Sequence, residues 1–155
     1  MSGTGLTTDA YHVTTPHPDG IGLSAAIKQA LDNAGLQGKD IQYVNAHGTS
    51  TPLNDVSEGR VIEKDIGRHV SVTSLKGAIG HTLAAAGAVE TVITILSVKH
   101  GIIPPTVNLS SVDSEINLDI VYGECRELKI RHALKLSMGF GGHNGALIIS
   151  SDEAD

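Results

Sequence analysis

The sequence predicts an α/β fold: a mixed sheet, mostly parallel with an antiparallel finish, with helices packed on it. Two observations lead there. Through the first two-thirds of the chain, helix-period stretches alternate with short β-branched runs, and after that strand-like runs follow one another alone. Apolar content of 40% over 155 residues is also enough for one domain, residues 1–155, with a real core. Aromatics make up only 3%, so that core must be built from Val, Ile, Leu and Ala.

Residues 3 to 20, GTGLTTDAYHVTTPHPDG, have no helical period and read as a loop. Ile21, Ala25, Ile27, Leu31 and Ala34 then follow helical spacing, with Asp19 as the expected cap and Gly35 as the stop. Ile41 to Ala46 is a short buried strand. Asn54 to Ile66 is a second helix, started near Asn54 or Asp55 and ended by Gly67. Val70 to Ser74 is a second strand. The most apolar helix spans Leu83 to Lys99, where three consecutive alanines and Gly87 call for close packing. Two prolines force GIIPPTVN to be extended. Strands are expected at Leu118–Val121, Lys135–Met138 and Ala146–Ser150.

Charge and cysteine count narrow the function classes. A net charge of −6 without a basic run argues against nucleic acid. The apolar run Ala84–Val98 contains Glu90 and is expected to be too short for a membrane span, and Met1 opens polar sequence rather than a leader. One cysteine, Cys125, excludes an internal disulfide and fits a reducing compartment, cytoplasmic or an organelle matrix.

Three loops at strand ends carry the chemistry: NAHGTST, SLKGAIGH and GFGGHNG. Functional groups in open α/β sheets collect at the carboxyl ends of strands, so His47, Lys76, His81 and the amides around Phe140 are expected to converge. His12, His17, His69, His100 and His132 lack such a setting. A metal held by His47, His81 and His143 is the rival, but neither an HExxH pair nor cysteine spacing supports it, and no metal is expected. The glycine loops lack the GK[ST] ending of a nucleotide cradle. Cys125, in YGECREL, has no nearby base or helix start to activate its thiol.

YVNAHGTSTPLND, SLKGAIGHTLAAAGAVE, IPPTVNL and GFGGHNGAL, in that order, together with DAYHVTTPHPDG, resemble the C-terminal half of a β-ketoacyl-acyl-carrier-protein synthase. The likeness is to the elongating, type II fatty-acid synthase kind. The resemblance implies one half of a thiolase fold and a decarboxylative Claisen condensation. Its substrates ride on the phosphopantetheine of acyl carrier protein, and no other cofactor is implied. His47 and His81 match the histidines of a Cys-His-His triad, and Lys76 the active-site lysine, with Glu90 its acidic partner. Asp55 and Glu58 match supporting acids, or are ordinary acids of a helix start. Thr49 and Thr51 match hydroxyls along the pantetheine arm, and Phe140 the gating aromatic at the oxyanion hole.

Met138 and Leu136 depart from the usual Phe and Asn, His143 stands where Thr is common, and the loop from Gly67 to Val70 is short. The first two changes are expected to alter how the gate packs. The family's nucleophilic cysteine lies in the N-terminal half, so the resemblance implies a cysteine-bearing partner and no condensation by this chain alone. It also implies that the strand opening this half is absent, and that two copies pair through the uncovered face. A polyketide ketosynthase fragment and a noncatalytic chain-length-factor-like partner are the alternatives; retention of both histidines argues against the second.

Overall fold

The computed structural model describes residues 1–152. Its main sheet has six strands in the order β1 (Gly3–Thr8), β8 (His143–Ser150), β7 (His132–Gly139), β2 (Tyr43–Asn45), β3 (Ser71–Thr73) and β5 (Asp119–Ile120). β7, β2, β3 and β5 run parallel, while β8 and β1 close one edge antiparallel. The expected mixed sheet is therefore present. A small second sheet pairs β4 (Ile102–Ile103) with β6 (Arg126–Glu127).

β1 corrects the sequence reading, which made residues 3–20 a loop and took an opening strand to be absent. Gly3 and Gly5 alternate inward, where any Cβ would run into the backbone carbonyls of Ala30 and Ala26. The strand lies so close to its helix that only glycine fits, so the usual apolar alternation is missing.

That helix is α1 (Ile21–Ala34), and with α2 (Pro52–Asp65) it covers one face of the sheet. Leu23, Ile27, Val44, Ile62, Leu134 and Ile148 meet there. The inward stripe of α1 is Leu23, Ala26, Ile27, Ala30 and Leu31; Ile21 and Ala25 point outward, against the expected register. Asp19 does not cap α1. Gly20 holds the N-cap position in the left-handed region at φ 59°, and Gly35 closes the helix at φ 67° as expected. α2 begins earlier than expected because Pro52 fits the first helical turn, where its missing N–H costs nothing.

The other face carries α4 (Ala86–His100), led in by a 3₁₀ turn at Leu83–Ala85 and, before it, by the short α3 (Lys76–Ile79). Val98, Tyr43, Ile103, Ala133 and Ile149 form a smaller core there. α4 is inverted: its buried stripe is Ala86, Glu90, Thr94, Ser97 and Val98, while Val92, Ile95 and Leu96 are exposed. Contrary to expectation, Leu83–His100 is long and apolar enough to cross a membrane by length and composition. The polar groups of its inner stripe nonetheless tie it to the sheet: Asn45 Nδ2 donates to the Glu90 carbonyl at 3.2 Å and to Thr94 Oγ1 at 2.9 Å.

Because α1 rests directly on the β1 backbone, Gly5→Ala should lower folding stability by about 2–3 kcal/mol. Urea unfolding followed by circular dichroism measures it, and an unchanged midpoint would contradict this account of β1.

Candidate active site

β2 stops at Asn45 and β3 at Thr73, and their loops are stitched together at the carboxyl end of the sheet. The His47 loop hangs on one carboxylate. Glu58, buried on α2, accepts the His47 N–H at 2.6 Å and the Gly48 N–H at 2.9 Å, and Asn54 Nδ2 adds a contact at 3.3 Å. Gly48 sits at φ 45° against Ser74, whose hydroxyl donates to the Gly48 carbonyl at 2.8 Å. Burial pushes the Glu58 carboxyl up, against the pull of the two amides. Asp55, half-buried one turn earlier, takes the Ser50 N–H at 3.2 Å and serves the loop more loosely.

The second loop delivers Lys76 and His81. Lys76 Nζ donates to the His47 carbonyl at 2.5 Å and to Glu90 Oε1 at 2.6 Å, with its side chain almost wholly buried. The lysine–glutamate pair read from the apolar helix is present. His81 follows Gly80, is exposed, and meets the His47 ring edge to face with centroids 5.7 Å apart. Its Nδ1 accepts the Leu83 N–H at 3.1 Å, which leaves the proton of the neutral ring on Nε2.

His47 is buried and stays neutral. Burial lowers its pKa to about 3, and the nearby charges of Lys76 and Lys135 and the His81 ring push the same way. A cleft of about 590 Å³ opens over the pair, lined by His47, His81, Thr49, Thr51, Met138 and Phe140. A neighbouring cleft shares the histidines and runs along Leu83 and Gly87 to Leu6. Thr49 and Thr51 stand at the rim with their hydroxyls 2.9 Å apart.

Phe140 is 76% exposed at the tip of the β7–β8 turn. Residues 9 to 13 hold that turn: Asp9 N–H donates to the Gly142 carbonyl at 2.8 Å, Gly141 N–H to the Val13 carbonyl at 2.6 Å, and Asn144 Nδ2 to Asp9 Oδ1 at 2.7 Å. Sequence reasoning missed Asp9. The expected influence of Leu136 on the gate is also corrected. Leu136 is buried in the core against α1 and α2, whereas Met138 does line the cleft.

Lys135 was missed as well. Its ammonium lies 2.8 Å from Glu90 Oε2 and 3.2 Å from Ser137 Oγ, with only 2% of the side chain exposed. Burial draws its pKa down. The signal was present in HALKLSMG, a lone lysine in an apolar strand, the same oddity that marked Glu90. Among the described residues no group of three or more His, Cys, Asp or Glu side chains is placed to hold a metal. Cys125 is exposed beside β6, at the end of α4 remote from His81.

Residues 1–110 match the family described as β-ketoacyl synthase, C-terminal domain. The chain belongs to that family. The chain is 44% identical over 155 residues to 3-oxoacyl-[acyl-carrier-protein] synthase 2 of Staphylococcus aureus (strain COL), covering 98% of this chain and 37% of that protein. It is 46% identical over 150 residues to the like-named enzyme of Synechocystis sp. (strain ATCC 27184 / PCC 6803 / Kazusa), covering 95% and 36%. A β-ketoacyl synthase from Burkholderia phymatum STM815 superposes with a TM-score of 0.93 at 37% identity, covering 98% of this chain and 37% of that one. The ishigamide ketosynthase/chain length factor gives 0.93 at 35% identity, covering 98% and 38%. The fold is thus the α/β, thiolase-like fold of the ketosynthases. The chain spans little more than a third of the length of these relatives.

A neutral buried histidine has a signature in stability. Between pH 6.5 and about 3 the unfolded chain binds a proton at His47 that the folded chain refuses, so stability falls as pH falls through that window. The loss amounts to roughly 5 kcal/mol at about 1.4 kcal/mol per pH unit. His47→Gln should flatten the curve across this range relative to the unchanged chain in urea unfolding. Parallel curves would mean that His47 titrates normally.

Proposed function

We propose that this chain is the histidine-bearing C-terminal half of a 3-oxoacyl-[acyl-carrier-protein] synthase that elongates fatty acids. The observation that carries the reading is the neutral His47 ring edge-on to His81 beneath a cleft rimmed by Thr49 and Thr51. Losing CO2 from a malonyl thioester breaks the bond between carboxylate carbon and methylene and moves the electron pair onto the thioester oxygen as an enolate. Two imidazole N–H groups aimed at that oxygen stabilise it. A neutral His47 donates a hydrogen bond without handing a proton to the carbanion, as an imidazolium would. The electron pair then forms the new carbon–carbon bond at an acyl thioester carbonyl and expels a cysteine thiolate.

The cysteine comes from a second, N-terminal half. Cys125, exposed at the remote end of α4, is badly placed to serve. Thr49 and Thr51 hold the phosphopantetheine arm of acyl carrier protein, Phe140 gates the acyl chain, Lys76 anchors His47, and Glu90, Asp55 and Glu58 support the loops. The substrates carry the only cofactor required, on the carrier protein. An exposed thiol at Cys125 suits the cytoplasm or an organelle matrix.

The test is a malonyl-carrier-protein decarboxylation and condensation assay on this chain alone and mixed with a cysteine-bearing N-terminal half. Turnover is expected only in the mixture. There His47→Ala or His81→Ala should cost at least about 100-fold in decarboxylation. Turnover by this chain alone would overturn the assignment, with Cys125→Ser the next variant.

The outward face of α4, with Val92 56%, Leu96 47% and Ile95 41% exposed, is where a second half or a second copy packs. In the absence of the N-terminal half we expect a dimer or larger species by light scattering, and Val92→Asp with Leu96→Asp should return it to monomer. A monodisperse monomer of the unchanged chain at high concentration would contradict pairing through this face.

A further inference from the structure

β7 is buried on both faces, and its alternation sends Leu134 and Leu136 into the larger core and Ala133, Lys135 and Ser137 toward α4. Lys135 pairs in register with Asn45 of β2, whose amide is already committed to α4 at Glu90 and Thr94. Glu90 is wholly buried between two ammonium groups, with Oε1 2.6 Å from Lys76 and Oε2 2.8 Å from Lys135. Neutralising Glu90 requires only one of them. Burying a second ammonium costs several kcal/mol, and packing alone would be served better by an apolar side chain of the same length. The second charge therefore needs another explanation, and the contacts around Lys76 provide it. Lys76 is the group that grips the His47 backbone, and a buried carboxylate with a free oxygen would let it shift between two positions.

The geometry points to Lys135 as a positioning residue of the histidine pair: hydrogen-bonded to the Leu136 carbonyl and Ser137 Oγ, its ammonium faces Glu90 Oε2 as an ion pair at 2.8 Å, leaves Oε1 alone to Lys76, and so fixes the ammonium that holds the His47 carbonyl. The inference rests on the reading of His47 and His81 as the reacting pair. It adds a residue from a third element, so the pair is braced from α2 through Glu58, from α4 through Glu90 and from β7 through Lys135. The groups facing His47 are Lys76 on α3, His81 after it, Lys135 on β7 and Glu58 on α2, with Glu90 on α4 behind Lys76. Removing Lys135 takes away a positive charge and leaves Glu90 to Lys76 alone. The lost charge favours a proton on His47.

The experiment is an imidazole ¹⁵N NMR titration of the full chain and of Lys135→Met. In the unchanged chain His47 is expected to titrate near 3; in the variant the midpoint should rise by about one pH unit. Tm should be unchanged or higher, because a buried charge has gone. In the mixture with a cysteine-bearing half, malonyl decarboxylation by Lys135→Met should fall about tenfold in kcat with KM little changed. A purely structural lysine would lower Tm and, although its lost charge still raises the midpoint, leave the backbone amide resonances of His47 and Gly48 in place. A folded variant in which those amide resonances and kcat in the mixture are both unchanged overturns the proposal. If Lys135→Met does not fold, Lys135→Gln, which keeps polar contacts to Leu136 and Ser137 without the charge, is read in the same way. An inactive mixture with the unchanged chain, alongside displaced His47 and Gly48 amide resonances in the variant, would reject the condensing function while leaving the bracing by Lys135 in place.

Discussion

An ionised carboxylate with no exposed surface, in the middle of an apolar helix, has no stable existence without partners. Glu90 finds them in Lys76 and Lys135, and that three-membered contact ties together the three parts on which the site depends. α4 is pinned to the sheet through its polar stripe. The loop after β3 is anchored through Lys76, and the same lysine reaches the carbonyl of His47 and stops the loop after β2 from moving independently. Were the carboxylate apolar, two lysines would lie buried without a counter-charge beside them on α4, and the histidines would have no fixed separation.

His47 itself is held from the opposite side by a different device. Glu58 spends its carboxylate on two successive backbone amides, which leaves the loop no hydrogen-bonding freedom, and Gly48 adopts a left-handed φ that lets the chain turn against Ser74. The imidazole projects from a backbone that is fully paired while its own Nδ1 is not: that atom is buried with no partner. A buried polar atom left unsatisfied costs stability, and such costs gather at functional sites. The neutral state of His47 belongs to the same arrangement, since burial, and after it the two ammonium groups close by, make a positive charge there expensive.

How much of this was legible follows from what each feature looks like in one dimension. The helices announced themselves through spacing, and α1 matched its expected span because Gly35 ends it with a left-handed turn. The histidine loops were visible as abrupt changes of texture after β-branched runs, and Glu90 as a charge out of place. β1 was invisible because close packing had replaced its apolar residues with Gly3 and Gly5, erasing the alternation that marks a strand. Asp19 looked like a cap, but the backbone turned at Gly20 instead. Lys135 stood out as a lone lysine in an apolar run, but only the strands on both sides of β7, β2 parallel and β8 antiparallel, which no local pattern reveals, make it central and buried. Leu136 beside it was misread for the same reason, since a one-residue step along β7 changes which face a side chain meets.

α4 shows why composition alone cannot say where a helix belongs. Leu83–His100 passes a test of length and apolarity for a membrane span, yet the side chains that make it apolar are the ones facing away from this chain. An ordinary surface helix buries its apolar stripe and shows its polar one to water. Here Glu90, Thr94 and Ser97 face the sheet while Val92, Ile95 and Leu96 face out. Such an inversion suits a helix whose outer face is covered by a further apolar layer, as proposed above, for then both sides of the helix are interior and the polar stripe is free to serve the site. The same outward residues that would be a liability on an isolated chain are what a central layer in a larger assembly requires, and the buried lysine–glutamate contact on the inner side keeps that layer in register with the histidines.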